Sequence, residues 1–438
     1  MAPGVTPPRG MRDFLPAEKA RREHALGVIR RVYSSFGFDE IETPVVEDYA
    51  RLHSGLGGDN EKLAFNVLKR GLTPDDLAQP AETGDLSSLT DLGLRFDLTV
   101  PLARFYATHR ADLPPVFRSI QIAPVWRAER PQKGRYRQFV QCDIDIIGES
   151  GPLAEIELLT ATAAALRELG LTGCRVRIND RRLLTGMLDL FGFDASERSQ
   201  VLITIDKLDK VGVGGVLEEL RSRGATAEAV DALELFLTRV APENPGPFGE
   251  AQIRAQLPDG IDDTVIAELA SIGLAAEQAD AAATGRAVGD APFVIFDPFL
   301  VRGMGYYTGP IFEIEHPELG YSLGGGGRYD GMIGRFLGSE VPATGFSIGF
   351  ERIVDLVTLP ESSVSDAMVL VYDKSVPPVK LVSLKAELVA SGRRVRLEPR
   401  VKNLKALLAR VQAAGFGSFA FVTDATASVT DLEVKSLD

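Results

Sequence analysis

The sequence predicts an α+β protein, and three features of the chain support this fold class. Between Val125 and Gly148, two runs with strand character flank a polar loop at 128–134, which is the pattern of an antiparallel hairpin. Residues 172–290 are rich in Ala, Leu and Glu, and this composition favours helices. From residue 368 onward, strand and helix patterns alternate, which predicts a small parallel sheet covered by helices.

The N-terminal part begins with a helix and a strand. Residues 17–36 have apolar side chains at helical spacing, and Gly37 ends this predicted helix. A strand is predicted from Glu40 to Val46, interrupted by Pro44. Because proline lacks a backbone donor, this strand is expected at a sheet edge or an interface.

Two further elements precede the helical region. Residues 94–100 alternate in polarity, which predicts a strand with Arg95, Asp97 and Thr99 on one face. Residues 153–169 have apolar side chains at helical spacing and are followed by a glycine, so they predict a helix.

The return strand of the hairpin has two unlike faces. Its even-numbered positions are mostly apolar, and its odd-numbered positions are Arg135, Arg137, Phe139, Gln141, Asp143 and Asp145. That second face has cations at one end and carboxylates at the other, so it would match a ligand with an anionic half and an ammonium half. A solvated sheet face is the alternative interpretation of the same alternation.

The remaining pattern divides the chain into segments. Residues 172–290, which include a loop-like stretch at 243–249, carry no motif that suggests chemistry and are interpreted as an inserted helical domain. Strand patterns return at 293–296 and 311–315, and a linker is predicted near Leu359–Asp366. The C-terminal pattern consists of strands at 368–372, 394–397 and 418–422 and helices at 377–391 and 401–414. The predicted domains are 1–171 with 291–360, the insertion 172–290, and 366–438.

Composition limits the class of protein. A chain of 438 residues is too long for one compact core, so two or three domains are expected. No apolar run reaches the roughly 18 residues of a membrane span, and the N-terminus lacks the form of a secretion signal. The chain has 2 cysteines and no Cys/His spacing typical of a metal site. We therefore expect a cytoplasmic protein with no membrane association and no structural metal.

Charge is unevenly distributed. The net charge is −13, which argues against bulk electrostatic binding of nucleic acid. Residues 366–438, however, contain 11 Lys/Arg and 8 Asp/Glu, so this segment is net +3 and the remainder is net −16. Such a local basic patch can bind a polyanion while the acidic remainder repels nonspecific ones. An ordinary solvated surface is the alternative.

Four segments carry residue types that suit ligand binding. LRFDLTVP at 94–101 offers the carboxylate of Asp97 and the hydroxyl of Thr99 to an ammonium group. VRGMGYYTGPIFEI at 301–314 places Arg302 beside glycines and a tyrosine pair, and arginine in such a turn suits a phosphate. In isolation, a strand with one polar face and an exposed arginine are the alternatives.

Glycines and a further arginine mark the last two segments. SLGGGGRYDGMIGRF at 322–336 has four consecutive glycines, which suit a ligand lying flat on the backbone; a mobile loop is the alternative. In PATGFSIGFERIVDLV at 342–357, a short strand leads into a helix with Arg352 in its first turns, a combination that can bind an anion. Arginine on a helix surface is otherwise common.

Together these segments resemble the histidyl-tRNA synthetases, a family of class II aminoacyl-tRNA synthetases. The resemblance begins at Arg9 (RGMRDFLP) and includes ERPQKGRYRQF, RGMGYYTG, GGRYDG and GFSIGFERI in family order. It implies a class II antiparallel sheet flanked by helices and a homodimer with Pro44 at the interface. It also implies ATP with Mg²⁺, histidine and tRNA as substrates.

The resemblance implies roles for individual residues. For ATP, Arg127 would bind the α-phosphate, Glu129 and Phe139 the adenine, and Arg135 and Arg352 the phosphates. For histidine, it implies a pocket formed by Asp97, Thr99, Gln141, Asp145, Tyr306, Tyr307 and Tyr329. Arg302 would lie next to this pocket, beside the α-phosphate. The catalytic residues would be Arg127 and Arg302.

The chain departs from the family pattern at two places. Gly305 stands where many family members have an acidic residue. The C-terminal domain, which reads the anticodon region in the family, has no predicted closing helix after 418–422, so the expectation of tRNA binding rests on a shortened domain. Two alternatives therefore stay open: a paralogue with another acceptor, and a histidine-sensing regulatory subunit of ATP phosphoribosyltransferase, which generally lacks this domain and the catalytic arginines.

Overall fold

The computed structural model describes residues 5–53, 63–85, 87–131, 134–239, 248–290, 292–302, 305–316, 318–358 and 367–437. The chain forms two compact units. The larger unit comprises Met1–Arg12 and Leu26–Leu356, and the smaller unit comprises Asp13–Ala25 and Val357–Asp438. The predicted linker at 359–366 lies outside the described residues. No helix among the described residues has the length and apolar character needed to cross a bilayer.

The strands of the larger unit form two sheets. In chain order they are β1 (Asp39–Glu40), β2 (Val46–Asp48), β3 (Phe65–Leu68), β4 (Thr90–Leu94), β5 (Phe117–Trp126), β6 (Gln138–Ile147), β7 (Arg175–Asp180), β8 (Val294–Phe296), β9 (Pro310–His316), β10 (Leu319–Arg328) and β11 (Ala343–Gly349). Eight strands form the central sheet in the order β1-β5-β6-β11-β10-β9-β7-β8, and β2-β4-β3 form a small sheet.

Thirteen α-helices begin before Leu356 in the described part of the chain. They are α1 (Pro16–Ser35), α2 (Tyr49–Leu52), α3 (Pro74–Thr83), α4 (Thr99–His109), α5 (Leu153–Glu168), α6 (Arg181–Phe191), α7 (Arg198–Ile205), α8 (Leu208–Ser222), α9 (Ala227–Leu237), α10 (Glu250–Arg254), α11 (Asp263–Thr284), α12 (Asp330–Leu337) and α13 (Phe350–Ile353). The α+β class is confirmed. The predicted helices at 17–36 and 153–169 are observed as α1 and α5.

The central sheet is antiparallel in its middle and parallel at its two ends. The predicted hairpin is confirmed, because β5 and β6 pair antiparallel from Phe117–Ile147 to Trp126–Gln138. The pairs β6–β11, β11–β10, β10–β9 and β9–β7 are also antiparallel. By contrast, β1 pairs parallel with β5, and β8 pairs parallel with β7. The sheet is therefore mixed, where the family resemblance implied an antiparallel one.

The predicted strand at 94–100 is wrong. The strand β4 ends at Leu94, and the helix α4 begins at Thr99. The carboxylate of Asp97 accepts a hydrogen bond from the backbone N–H of Val100 at 3.2 Å, and Pro101 lies in the first turn, where proline suits a helix. Alternating polarity was misleading here because the polar residues form a helix start.

Three other segments differ in detail from their predictions. The predicted strand Glu40–Val46 is not continuous, since β1 ends before and β2 begins after Pro44. The glycine run lies inside β10 and is not a loop. The region 172–290 is mainly helical, but β7 at its start belongs to the central sheet.

The smaller unit contains the predicted alternation of strands and helices. Its elements from residue 367 are β12 (Ala367–Tyr372), α14 (Pro378–Ala390), β13 (Arg394–Pro399), α15 (Leu404–Ala413), β14 (Ser418–Val422) and β15 (Lys435–Ser436). The strand β12 pairs parallel with both β13 and β14. Its alternate residues pack against α14 on one face and against α15 on the other. The chain end adds β15 antiparallel to β14, a strand that the sequence did not predict.

Candidate functional site

One large cavity opens over the central sheet of the larger unit. Its volume is about 1310 Å³. All thirteen residues that the sequence nominated line it, namely Asp97, Thr99, Arg127, Glu129, Arg135, Phe139, Gln141, Asp145, Arg302, Tyr306, Tyr307, Tyr329 and Arg352. They come from five segments of the sequence between 94 and 357, so the fold brings them together. Arg137, which the alternation placed on the same face, does not line this cavity, and its Nε donates to the carbonyl oxygen of Glu129 at 3.0 Å.

Strand register explains the floor of the cavity. Cross-strand pairing aligns Asp143 on β6 with Ser347 on β11, and Ser347 with Gly325 on β10. The row continues through Glu313 on β9 to Arg177 on β7. Because directly paired residues point to the same face of a sheet, these side chains form one polar row, and the glycine leaves a gap in it.

Arg302 fills that gap. A Cβ atom on Gly325 would lie 3.0 Å from Cζ of Arg302, so the guanidinium lies directly over the glycine. Arg302 forms an ion pair with Glu313, which also binds Arg177. Burial raises the pKa of Glu313, but the two guanidinium groups outweigh it and hold the pKa below its ordinary value. The sheet therefore holds Arg302 through an ionised carboxylate.

Arg177 extends this network along the floor of the cavity. Its NH1 donates to Asp297 at 2.9 Å, and its Nε lies 3.5 Å from Glu315. Sequence reasoning did not nominate Arg177, Glu313 or Ser347, and it placed Asp143 on the polar face of the return strand without giving it a role. The signal was present for two of them, since Arg177 in RVRIND and Glu313 in IFEIE both occupy polar positions of alternating strands.

The helical region also contributes to the cavity. Arg175, Asp206, Leu208 and Lys210 line it, although the sequence of 172–290 suggested no chemistry. Arg175 lies on the alternating strand β7, whereas no periodic motif marks Asp206, Leu208 or Lys210.

A carboxylate and a tyrosine form a buried polar contact in the cavity. The hydroxyl of Tyr329 donates to Oδ1 of Asp145 at 2.6 Å. Asp145 is 4% exposed, and burial together with the charge of Asp97 raises its pKa to about 7, against the opposing effect of the Tyr329 hydrogen bond. A Cβ on Gly345 would lie 2.0 Å from Oδ1 of Asp145, so the absence of a side chain there creates the space for this carboxylate.

Aromatic rings and a helix start surround this end of the cavity. The ring centroid of Tyr306 lies 4.8 Å from that of Tyr307 and 6.1 Å from that of Tyr329. Thr99 lines the cavity together with these rings. Asp97 is 2% exposed and lies immediately before α4. The result is a buried pocket with carboxylates and phenols, which suits a small ligand with several hydrogen-bond donors.

Arginine side chains gather at the other end of the cavity. The pKa of Arg352 is lowered, first by burial and then by repulsion from Arg135 and Arg302. Its NH1 donates to the carbonyl oxygen of Ser322. Arginines that repel one another in a partly buried cavity are stabilised by an anion between them.

A flat aromatic surface adjoins these arginines. The Cζ atom of Arg127 lies 5.1 Å from the ring centroid of Phe139, and Nε of Arg127 donates to the carbonyl oxygen of Phe96 at 2.9 Å. NH1 of Arg135 lies 3.4 Å from Oε2 of Glu129. Guanidinium groups beside a ring fit a ligand that combines phosphates with an aromatic base.

Gly305, where the chain departs from the family pattern, lies in an exposed turn. A Cβ added there would meet no atom within 4 Å, so the surroundings do not require glycine. In the described part of the chain, no group of three or more His, Cys, Asp or Glu side chains is arranged to hold a metal ion.

A family model and a curated relative both match this chain, and their descriptions name the same family. The Histidyl-tRNA synthetase family model matches residues 10–353. A histidine–tRNA ligase of Leifsonia xyli subsp. xyli (strain CTCB07) is 62% identical over 445 aligned residues, covering 100% of this chain and 99% of the relative.

Two solved structures share the fold. The histidyl-tRNA synthetase from Nostoc sp. PCC 7120 has a TM-score of 0.74 at 25% identity, covering 99% of this chain and 95% of that one. A protein described as an ATP phosphoribosyltransferase regulatory subunit/histidyl-tRNA synthetase from Bacillus halodurans C also has a TM-score of 0.74, at 22% identity, covering 96% of this chain and 99% of that one. At that identity the second likeness supports the fold alone.

Proposed function

The chain belongs to the histidyl-tRNA synthetase family, and from this premise we propose that it is a histidine–tRNA ligase, which activates histidine with ATP and transfers the histidyl group to tRNA. The observation that carries the proposal is the cavity, in which Arg127, Arg302 and Arg352 lie beside a buried pocket lined by Asp97 and Asp145. Guanidinium groups match a nucleotide, and carboxylates match an amino acid with its ammonium and imidazole donors.

We propose that the cationic end binds ATP. Arg127 and Arg302 would bind the α-phosphate, while Arg135 and Arg352 would bind the terminal phosphates. Phe139 would stack on the adenine ring, and Glu129 would accept from its amino group. Burial lowers the pKa of Arg352, and repulsion from Arg135 and Arg302 lowers it further. The repulsion supports this assignment, because bound phosphates would relieve it.

We propose that the carboxylate end binds histidine. Asp97, Thr99 and Gln141 would hold the ammonium group, whereas Asp145 and Tyr307 would bind the imidazole ring, with Tyr306 and Tyr329 lining the same pocket. The hydrogen bond from Tyr329 to Asp145 supports the second part, since it fixes the carboxylate in one orientation.

The proposed reaction has two steps. The carboxylate oxygen of histidine attacks the α-phosphorus of ATP in line, and pyrophosphate leaves as histidyl-adenylate forms. A hydroxyl of the terminal adenosine of tRNA then attacks the carbonyl carbon, and AMP leaves. The protein would accelerate the first step by holding both substrates in line and by offsetting the charge that develops on the phosphoryl oxygens. ATP would enter as its Mg²⁺ complex, in which the ion neutralises part of the phosphate charge.

We further propose a division of labour between the units. The larger unit would carry out activation, and the basic segment of the smaller unit would bind tRNA in the cytoplasm. A homodimer is part of the proposal, and the small sheet supports it. Its Val46, Val67 and Leu92 are exposed apolar side chains, as expected of a surface that a second copy would cover.

The two alternatives are not favoured. The relative that is 62% identical over the whole chain is named a histidine–tRNA ligase. A regulatory subunit would also have no use for three phosphate-directed arginines around one cavity.

The proposed function predicts the behaviour of Arg302→Ala. Loss of one preorganised charge-stabilising group raises a barrier by about 3–4 kcal/mol, so exchange of pyrophosphate into ATP in the presence of histidine should fall about 10²–10³-fold. The exposed Arg110→Ala is the matched control and should exchange like the parent. Parent protein that lacks histidine-dependent exchange would refute the proposed activation step, whereas a folded Arg302→Ala with parental exchange would refute only the role of Arg302. Charging of purified tRNA with histidine tests the second step.

A further inference from the structure

Asp143 is a buried carboxylate to which the proposed mechanism gives no role. It lies on β6 between Gln141 and Asp145, is 5% exposed and lines the cavity. A buried carboxylate is costly unless it has hydrogen-bond partners or serves a function. Its surroundings therefore indicate what it does.

The closest polar contact of Asp143 is with the side-chain amide of Gln141. Nε2 of Gln141 lies 3.2 Å from Oδ2 and 3.4 Å from Oδ1 of Asp143. The same nitrogen donates to the hydroxyl of Ser347 at 3.3 Å, and Ser347 is the residue of β11 that pairs with Asp143 of β6. Oxygen acceptors on two strands thus hold the nitrogen end of the amide.

This arrangement fixes the orientation of the other end of the amide. An ionised carboxylate can only accept hydrogen bonds, so it selects the nitrogen of Gln141 and turns Oε1 away. Among the residues that the structure describes, none donates a hydrogen bond to this buried Oε1. An unsatisfied buried acceptor destabilises the empty pocket, and a ligand that brings a donor would remove this cost.

The charge environment favours the same arrangement when a cation is present. Burial raises the pKa of Asp143, and so do the charges of Asp145 and Asp97, whereas Ser347 and Arg127 oppose this increase. An ammonium group in the pocket adds positive charge near these carboxylates. It therefore favours the ionised form of Asp143 that orients the amide.

We propose that Asp143 is a positioning residue, which holds the amide of Gln141 so that Oε1 accepts a hydrogen bond from the α-ammonium group of the amino-acid substrate. The proposal rests on the proposed function, because it assigns the α-ammonium of histidine to this acceptor. It makes Asp143 a determinant of specificity for a substrate with an amino group, acting through Gln141 and not through contact with the substrate.

The test compares histidine with 3-(imidazol-4-yl)propionate, the analogue without the amino group. In Asp143→Asn, which keeps the shape of the side chain, the amide of Gln141 is no longer held in one orientation. We expect the KM for histidine in pyrophosphate exchange to rise about tenfold, with kcat and the KM for ATP changing by less than about twofold. Calorimetric binding of the analogue should stay unchanged. The control is Asp112→Asn, an exposed carboxylate outside the cavity, which should match the parent.

A double-mutant cycle separates positioning from a simple charge effect. In the background of Gln141→Met, which removes both ends of the amide, Asp143→Asn should cause no further rise in the KM for histidine. Additive effects, equal weakening of the analogue, or an unchanged KM for histidine would each overturn the proposal. If the asparagine variant does not fold, Asp143→Ser is measured in the same way. Parent protein without histidine-dependent exchange would instead indicate that the proposed function itself is wrong.

Discussion

Asp145, which we propose binds the imidazole ring, is a buried carboxylate that lowers the stability of the fold when it is ionised. Its carboxylate is nearly inaccessible to solvent, and its pKa is raised to about 7 from an ordinary value of 3.8, chiefly by burial. The folded protein therefore retains a proton in a pH range where the unfolded chain releases it. Stability contributed by this group is highest at low pH and is lost as the pH rises from about 4 to about 7.

This titration predicts the behaviour of Asp145→Asn. The variant lacks the ionised buried carboxylate, so at pH 8 its free energy of unfolding should exceed that of the parent by up to about 4 kcal/mol. The difference should narrow as the pH falls towards 5, where the parent carboxyl group is protonated in the fold. Urea unfolding at several pH values provides the measurement, and a difference that does not depend on pH would contradict the assigned pKa. Histidine-dependent exchange should be lost, because the amide can no longer accept as a carboxylate does.

At the residue scale, sequence patterns nominated side chains that line the cavity. They gave no role to the residues that contact those side chains from behind or beside. Arg302 and Asp145 could be nominated from the sequence because each belongs to a local motif of recognisable chemistry. Arg177 and Asp143 act through Glu313 and Gln141, and the first of these contacts joins strands far apart in the chain. A contact of that kind depends on strand register, which a single sequence does not specify.

At the scale of elements, the glycines of β10 and β11 decide the shape of the site. A Cβ on Gly326 would lie 1.9 Å from the carbonyl oxygen of Gly345, so this glycine lets two strands approach. A Cβ on Gly345 would instead meet the side chains of Asp145 at 2.0 Å and Tyr329 at 3.2 Å. One glycine therefore supports the sheet, and the other supports the pocket.

These two roles predict different outcomes for Gly326→Ala and Gly345→Ala. The first change forces backbone apart and should lower the free energy of unfolding by about 3 kcal/mol or more. The second displaces movable side chains, so the fold should persist while the KM for histidine rises at least about tenfold. Gly320→Ala, on the same strand β10 with no atom within 4 Å of the added Cβ, should change stability by less than about 0.5 kcal/mol. Thermal unfolding and pyrophosphate exchange measure the two effects, and equal behaviour of the two variants would contradict the distinction.

The elements also show where sequence patterns suffice. The hairpin, α1, α5 and the C-terminal alternation were predictable because their signals are local periodicity and helix ends. The stretch 94–100 was not, because alternation of polarity also fits Asp97 accepting from Val100 at the start of α4. The glycine run was interpreted as a ligand surface, with a loop as the alternative. Its place inside β10 was not predicted, because the requirement for glycine comes from neighbouring strands and not from its own sequence.

At the scale of the whole molecule, charge separates the two proposed tasks. Residues 366–438 are net +3, while the remainder is net −16. Lys402 is exposed just before α15, and Lys405 is exposed in the first turn of that helix. An acidic remainder disfavours nonspecific binding of a polyanion, so tRNA should be drawn to the basic segment. The strand β15 pairs with β14 at one edge of the sheet of this segment.

The charge separation predicts that Lys402→Glu/Lys405→Glu affects charging but not activation. Removing two phosphate contacts should raise the KM for tRNA at least about tenfold, and it should reduce the dependence of log K on log salt concentration by about 2. Pyrophosphate exchange with histidine should be unchanged, because it requires only the cavity of the larger unit. Lys69→Glu/Arg110→Glu makes the same change of charge at exposed positions outside the basic segment, and it should leave the KM for tRNA close to that of the parent. If both double variants weakened tRNA binding equally, net charge alone would explain the effect and the assignment of tRNA binding to the C-terminal segment would be wrong.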